Sequence, residues 1–191
     1  TRPEIYYGEM SNDYVIVKTR VPEFGYPTET GNINTTYEGK GGVALDSLVR
    51  RALFAARFKT EKILLSSDIS KESRILYYRN IVERAKTLAP FLLLDSDPYM
   101  VVTKDGRLTW IIDAYTASGF LPYSKPVSRG INYMRNSVKI VVDAYDGTLD
   151  FYISDPKDPL VKVYTRIFPK LLKPLAAMPE DLRAHIRYPH Q

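Results

Sequence analysis

A chain of 191 residues, 45% hydrophobic and 26% charged, is long enough for a substantial core and has the composition of a globular protein, which excludes disorder. The absence of cysteine excludes disulfides, thiol catalysis, thiolate zinc sites and iron–sulfur clusters. The net charge of +5, with 27 Lys and Arg interleaved among 22 acids, describes a mixed solvated surface, not the one-sided basic face of a nucleic-acid domain.

In chain order, the alternating, β-branched run from Tyr14 to Thr19 reads as a strand that begins near Ile5. Pro22 to Lys40 is polar and rich in Gly, Asn, Thr and Pro, and reads as a long loop. Gly41-Gly42 opens a helix whose apolar face is Leu45, Leu48, Val49, Ala52, Leu53 and Ala56. A second helix runs from its N-cap Ser70 to Ala89, with a stripe of Ile75, Tyr78, Val82, Ala85 and Ala89, and Pro90 ends it.

Two hairpins follow. Tyr99 to Thr103 turns at Asp105-Gly106 and returns from Leu108 to Tyr115; Val138 to Tyr145 turns at Asp146-Gly147 and returns from Leu149 to Ser154. Asp-Gly between alternating runs predicts a type I′ turn, with positive φ at both central residues. Asp158 caps a helix with Pro159 at its first position, Pro169 and Pro174 interrupt it, and a last short helix starts at Pro179.

The triplet Asp-Ala-Tyr occurs twice, at Asp113 and at Asp143, each time after two apolar residues. Paired across neighbouring strands, Asp113 and Asp143 would be an acid/base couple or a divalent-metal site; taken singly, they are polar-face residues that start turns. Glu38-Gly-Lys40-Gly-Gly offers Lys40 and backbone amides to an anion, but lacks the Ser or Thr that the nucleotide-binding loop requires. Arg129, Arg135 and Asn136 cluster ahead of a strand and suit a carboxylate or phosphate. The two histidines, His185 and His190, lie in the last seven residues, so neither a histidine triad nor a histidine metal site is expected, and no cofactor motif is present.

Several stretches in fixed order resemble one family: PEIYYGEMSNDYVIV, TTYEGKGGVAL, LLSSDISKESRILYYRNI, APFLLLDSDPYMVV, and GINYMRNSVKIVVDAYDGTLDFYISDP followed by IFPKLLKPLAAMPEDLRAHIRYP. Together they are similar to the extracytoplasmic region of Uncharacterised Protein Family 0182, large bacterial multi-pass membrane proteins. The resemblance implies a slice of an outward-facing region at the cell membrane, with the transmembrane part of its own parent chain as a partner. It supplies no catalytic residue.

The expectation is therefore an α+β fold, residues 1–191 as one extracytoplasmic domain with a core over about 60–155 and a helical extension over 156–191. An antiparallel sheet would be built from the two Asp-Gly hairpins plus the N-terminal strand, with helices on one face. The expected role is non-catalytic, binding a partner protein, envelope polymer or lipid, or gating transport. The alternative is a cell-envelope hydrolase working through carboxylates such as Asp113 and Asp143.

Overall fold

The structure is a computed structural model and describes residues 3–11, 13–29, 31–126 and 130–188. It is α+β with mainly antiparallel sheets, as expected. The chain divides into two compact units: one from residues 1–11 and 80–191, the other from residues 12–79.

The smaller unit holds β1 (Val15–Val17), the ribbon β2 (Glu23–Thr28) and β3 (Gly31–Thr35), β4 (Val43–Ala44), α1 (Leu48–Phe58), α2 (Lys62–Leu65) and β5 (Arg74–Leu76). A three-stranded sheet has the order β1-β5-β4, with Ile16 opposite Ile75 and Ile75 opposite Val43. The N-terminal strand thus joins this sheet, not that of the Asp-Gly hairpins. The predicted loop from Pro22 contains the β2–β3 ribbon, which its mixed polar composition and Pro27 conceal. α1 starts at Leu48, where the Ser47 hydroxyl accepts from the Arg50 N–H, and not at the glycine pair. Its buried side packs Phe54, Ala55 and Phe58 with Leu45, Ile63, Ile69 and Ile75. The predicted apolar face of Leu48, Val49 and Leu53 is exposed.

The predicted helix from Ser70 to Ala89 is two elements. Ile75 and Leu76 are fully buried as strand residues, because both are wanted by the sheet. Only α3 (Ile81–Leu88) is helical; its N-cap Asn80 accepts from the Glu83 N–H. Ser70 bonds the Glu72 N–H in a local turn instead of capping a helix.

The larger unit continues with β6 (Leu93–Leu94), β7 (Tyr99–Val102), β8 (Leu108–Ser118), β9 (Tyr133–Asp143), β10 (Leu149–Ile153), α4 (Pro159–Ile167), β11 (Leu172–Pro174), a 3₁₀ turn (Leu175–Ala177) and α5 (Glu180–Arg183). The sheet order is β11-β10-β9-β8, and β7 and β6 share the other edge of β8 in succession. β10 and β11 are parallel; the other pairs are antiparallel. Both predicted hairpins form. Their turns differ from the type I′ expectation: Gly106 (φ 78°) and Gly147 (φ 67°) are left-handed, while neither Asp105 nor Asp146 is. The first turn is closed by the Thr103 N–H donating to the Arg107 carbonyl and the Gly106 N–H donating to the Thr103 carbonyl, so the glycine alone takes the left-handed place.

Helical segments meet both faces of this sheet. On one face Val101, Ile111, Val141 and Tyr152 pack with Met178 and Leu182, together with Leu175 and Ile186. On the opposite face lie Ile112, Val138, Ile140 and Val142, and the N-cap of α4 is bonded to Thr116 and Ser137.

β9 carries a bulge that places the polar groups. Between the pairs Ala114–Val138 and Thr116–Arg135, β9 advances one residue more than β8. On a regular strand Asn136 and Lys139 would point to opposite faces. Here both reach Asp113, and Ser137 turns to the α4 side.

Candidate functional site

The site to consider is an open cleft of about 640 Å³ at the turn end of the larger unit's sheet. Its floor is Thr109, Val141, Asp143, Asp150 and Tyr152, its wall the Thr103–Arg107 turn, and its far side the segment from Pro179 to Leu182. The alternation of strands β8, β9 and β10 puts these floor residues on one face.

Four carboxylates of the cleft, those of Asp105, Asp143, Asp150 and Asp181, are engaged, while Glu180 lines it as an exposed residue. Asp105 accepts from the Thr103 hydroxyl and pairs with Arg107 at 3.2 Å. That hydroxyl bond, with the Arg107 charge in a smaller part, holds Asp105 below the ordinary carboxylate range. Asp143 accepts from the N–H groups of Tyr145 (2.8 Å) and Asp146 (2.7 Å), and Arg107 reaches it at 3.8 Å. Asp150 pairs with Lys173 at 2.6 Å and accepts from the Tyr152 hydroxyl at 3.2 Å. Burial, and then the charge of Asp150, push the Tyr152 phenol up to about 12. Asp181 accepts the Lys104 N–H at 3.2 Å.

Asp113 lies on the same face but outside this cleft. Thr109, not Asp113, is opposite Asp143, so the two aspartates are four residues apart along the strands, about 13 Å at the usual rise per residue. Ile111 and Val141 pack between them. Asp113 is 3% exposed and forms a buried ion pair with Lys139, which is 4% exposed; Asn136 donates to the same oxygen at 3.1 Å. Beside them Tyr115 donates to the buried Asp95 at 2.9 Å. Burial and then that bond raise the Tyr115 phenol well above its ordinary value. This is a mostly buried polar network, with the Arg187 guanidinium stacked over neighbouring Tyr99, 3.9 Å from its ring centre, and paired to Asp97.

The remaining candidates are dispersed. Arg135 pairs with Asp155 at 2.8 Å. Lys40 is exposed in the smaller unit, and its carbonyl, with those of Gly41 and Gly42, accepts from the Arg74 guanidinium. Arg129 lies outside the described residues, as does His190. Sequence reasoning missed Lys139 as a partner and missed Asp105, Asp150 and Asp181 as cleft residues. The Asp-Gly turn was the available signal for Asp105. No signal pointed to Asp181, which arrives from a distant part of the chain. Among the described residues no group of three or more His, Asp or Glu is placed to hold a metal ion.

An α+β chain of two units with a polar cleft on one of them is a description of class only. The family is clear from comparison: residues 1–191 match the Uncharacterised protein family (UPF0182), and the chain belongs to it. It is 76% identical over 191 residues to a UPF0182 protein of Geobacter sulfurreducens and 75% identical to one of Geotalea uraniireducens, in each case over 100% of this chain and 21% of the relative. A UPF0182 protein of Pelotomaculum thermopropionicum is 56% identical over 189 residues, 99% of this chain and 21% of that relative. The chain thus spans about a fifth of the length of the curated relatives it matches. No solved structure matches it. No described helix is long and apolar enough to cross a membrane.

Proposed function

We propose that this chain is a non-catalytic binding region, on the outward-facing side of a larger membrane protein, and that the cleft between the Thr103–Arg107 turn and Pro179–Leu182 is its binding surface. The observation that carries this reading is the fixed pairing of Asp105, Asp143, Asp150 and Asp181 with cations, hydroxyls and backbone N–H groups. A general acid needs a carboxyl that holds its proton near neutral pH. Asp105 is shifted the opposite way. Carboxylates, threonine hydroxyls and the bases Arg107 and Lys104 instead suit a partner rich in hydroxyl and amine groups, such as an envelope polymer.

The test is a titration of the 191-residue chain with soluble cell-wall glycan fragments, followed by amide NMR shifts and by release of reducing ends. Shifts confined to the cleft, lost in Asp143→Ala/Arg107→Ala and without product release, support the reading. Product release that Asp143→Asn abolishes favours a carboxylate-dependent hydrolase. The absence of any shift overturns the glycan assignment.

A further inference from the structure

The smaller unit carries an apolar surface that its own core does not use. On α1, Leu48 (72% exposed), Val49 (69%), Leu53 (66%), Ala52 and Ala56 recur at the spacing of one helical stripe. Leu64 and Leu65 (77% exposed) of α2 follow it. The opposite side of α1 is also apolar, but there Phe54, Ala55 and Phe58 are packed into the core. The exposed stripe therefore exceeds what folding of this unit requires.

The charges around it are one-sided. From Asp46 to Leu65 five Lys and Arg stand against two acids. Arg51 turns inward, donating to the carbonyls of Leu45, Ile69 and Ser70. Arg50, Arg57, Lys59 and Lys62 are exposed. Arg50 is paired with Asp46 at 3.0 Å, whereas Arg57 donates to the neutral Tyr78 hydroxyl at 3.0 Å and keeps its charge. Arg50 and Arg57 are seven residues apart and lie along one flank of the stripe, while Lys59 and Lys62 close its C-terminal end. Two copies packed stripe to stripe would bring these basic flanks together. An anionic surface would satisfy them.

We propose that α1 and α2 form an interfacial anchor for an anionic lipid bilayer. Leu48, Val49, Leu53 and Leu65 enter the boundary between headgroups and acyl chains, and Arg57, Lys59 and Lys62 pair with lipid phosphates. The anchor is separate from the cleft and does not depend on what the cleft binds.

The experiment is co-sedimentation of the 191-residue chain with phosphatidylcholine vesicles, with and without phosphatidylglycerol. Binding is expected with phosphatidylglycerol and is weak without it. Leu48→Ser/Leu53→Ser should lower affinity at least tenfold with unchanged thermal unfolding, since both side chains are exposed. Lys59→Gln/Lys62→Gln should lower it roughly fivefold for each charge removed. Because the chain lacks cysteine, Val49→Cys gives a single labelling site, and a polarity-sensitive dye there should shift to the blue on anionic vesicles. Failure of the unmodified chain to bind anionic vesicles, or equal binding by the leucine variant, overturns the proposal. A dimer that the leucine variant dissociates, with no vesicle binding by either, would assign the stripe to a second copy.

Discussion

At the residue scale the Asp113–Lys139 pair is the sharpest feature of the larger unit. Two charges removed from water are tolerable only because each completes the other and Asn136 supports the carboxylate. Lys139→Met leaves a buried unpaired carboxylate and should destabilise by about 3–5 kcal/mol in urea unfolding. Adding Asp113→Leu should recover much of that loss, giving a coupling of opposite sign to the single effects. If the two substitutions simply add, the pair carries no coupling and the account is wrong. Asp158 tests a different balance. Burial raises its carboxyl, but bonds from Ser137, Thr116, Tyr133 and the Leu160 N–H outweigh this and hold it below 3.8. A depressed carboxyl stabilises fully above its unfolded value and loses that contribution as pH falls through the folded one. Stability should thus fall below about pH 4, and Asp158→Asn, which keeps a cap oxygen, should flatten that acid limb. The sequence shows Asp158 as a cap because Pro159 follows it. It cannot show Lys139 as buried, since alternation alone puts Lys139 on the mixed face with Asp143. The bulge that brings Asn136 to the same side has no local residue signature.

At the scale of elements, the α1 region shows how an apolar stripe misleads. Helical spacing identifies a face but not what covers it, and α1 is apolar on two sides. Leu53→Ala should change stability by no more than about 0.5 kcal/mol, because its side chain is exposed. Ile75→Ala should cost about 2–5 kcal/mol, because Ile75 is fully buried between β1 and β4. Denaturant unfolding of the two variants separates the structure from the sequence reading, in which both residues are core positions of helices. The break at Asn80 was concealed because Ile75 and Tyr78 happen to keep phase with Val82 and Ala85. Tyr78, at φ 51°, is incompatible with a continuous helix there. Both Asp-Gly hairpins were legible because the turn glycine and the flanking alternation are local. The assignment of the N-terminal strand to another sheet is a long-range matter that local pattern does not reach.

At the scale of the whole chain, two cores of different depth coexist. The larger unit buries the middle of β8 and β9 on both faces, from Ile111 to Thr116 and from Ser137 to Val142. The smaller one rests on a cluster of Leu45, Ala55, Ile63, Ile69 and Ile75, and its β2–β3 ribbon exposes Phe24, Tyr26 and Ile33. A two-stranded ribbon is marginal without a covered face. Opening free energy follows buried apolar contact and protected backbone bonds. Native-state hydrogen exchange of the chain should therefore release the amides of Glu23–Thr28 and Gly31–Thr35 first, then α1 and α2, and those of β8 and β9 last. Adding anionic vesicles should slow exchange in α1 and α2 and leave β8 and β9 unchanged, since only the former carry the exposed stripe. Protection of α1 without vesicles, rising with protein concentration, would mean that copies of the chain cover that stripe themselves. Uniform exchange across residues 12–79 and the β8–β9 pair would mean that the division into a shallow and a deep core has no energetic counterpart.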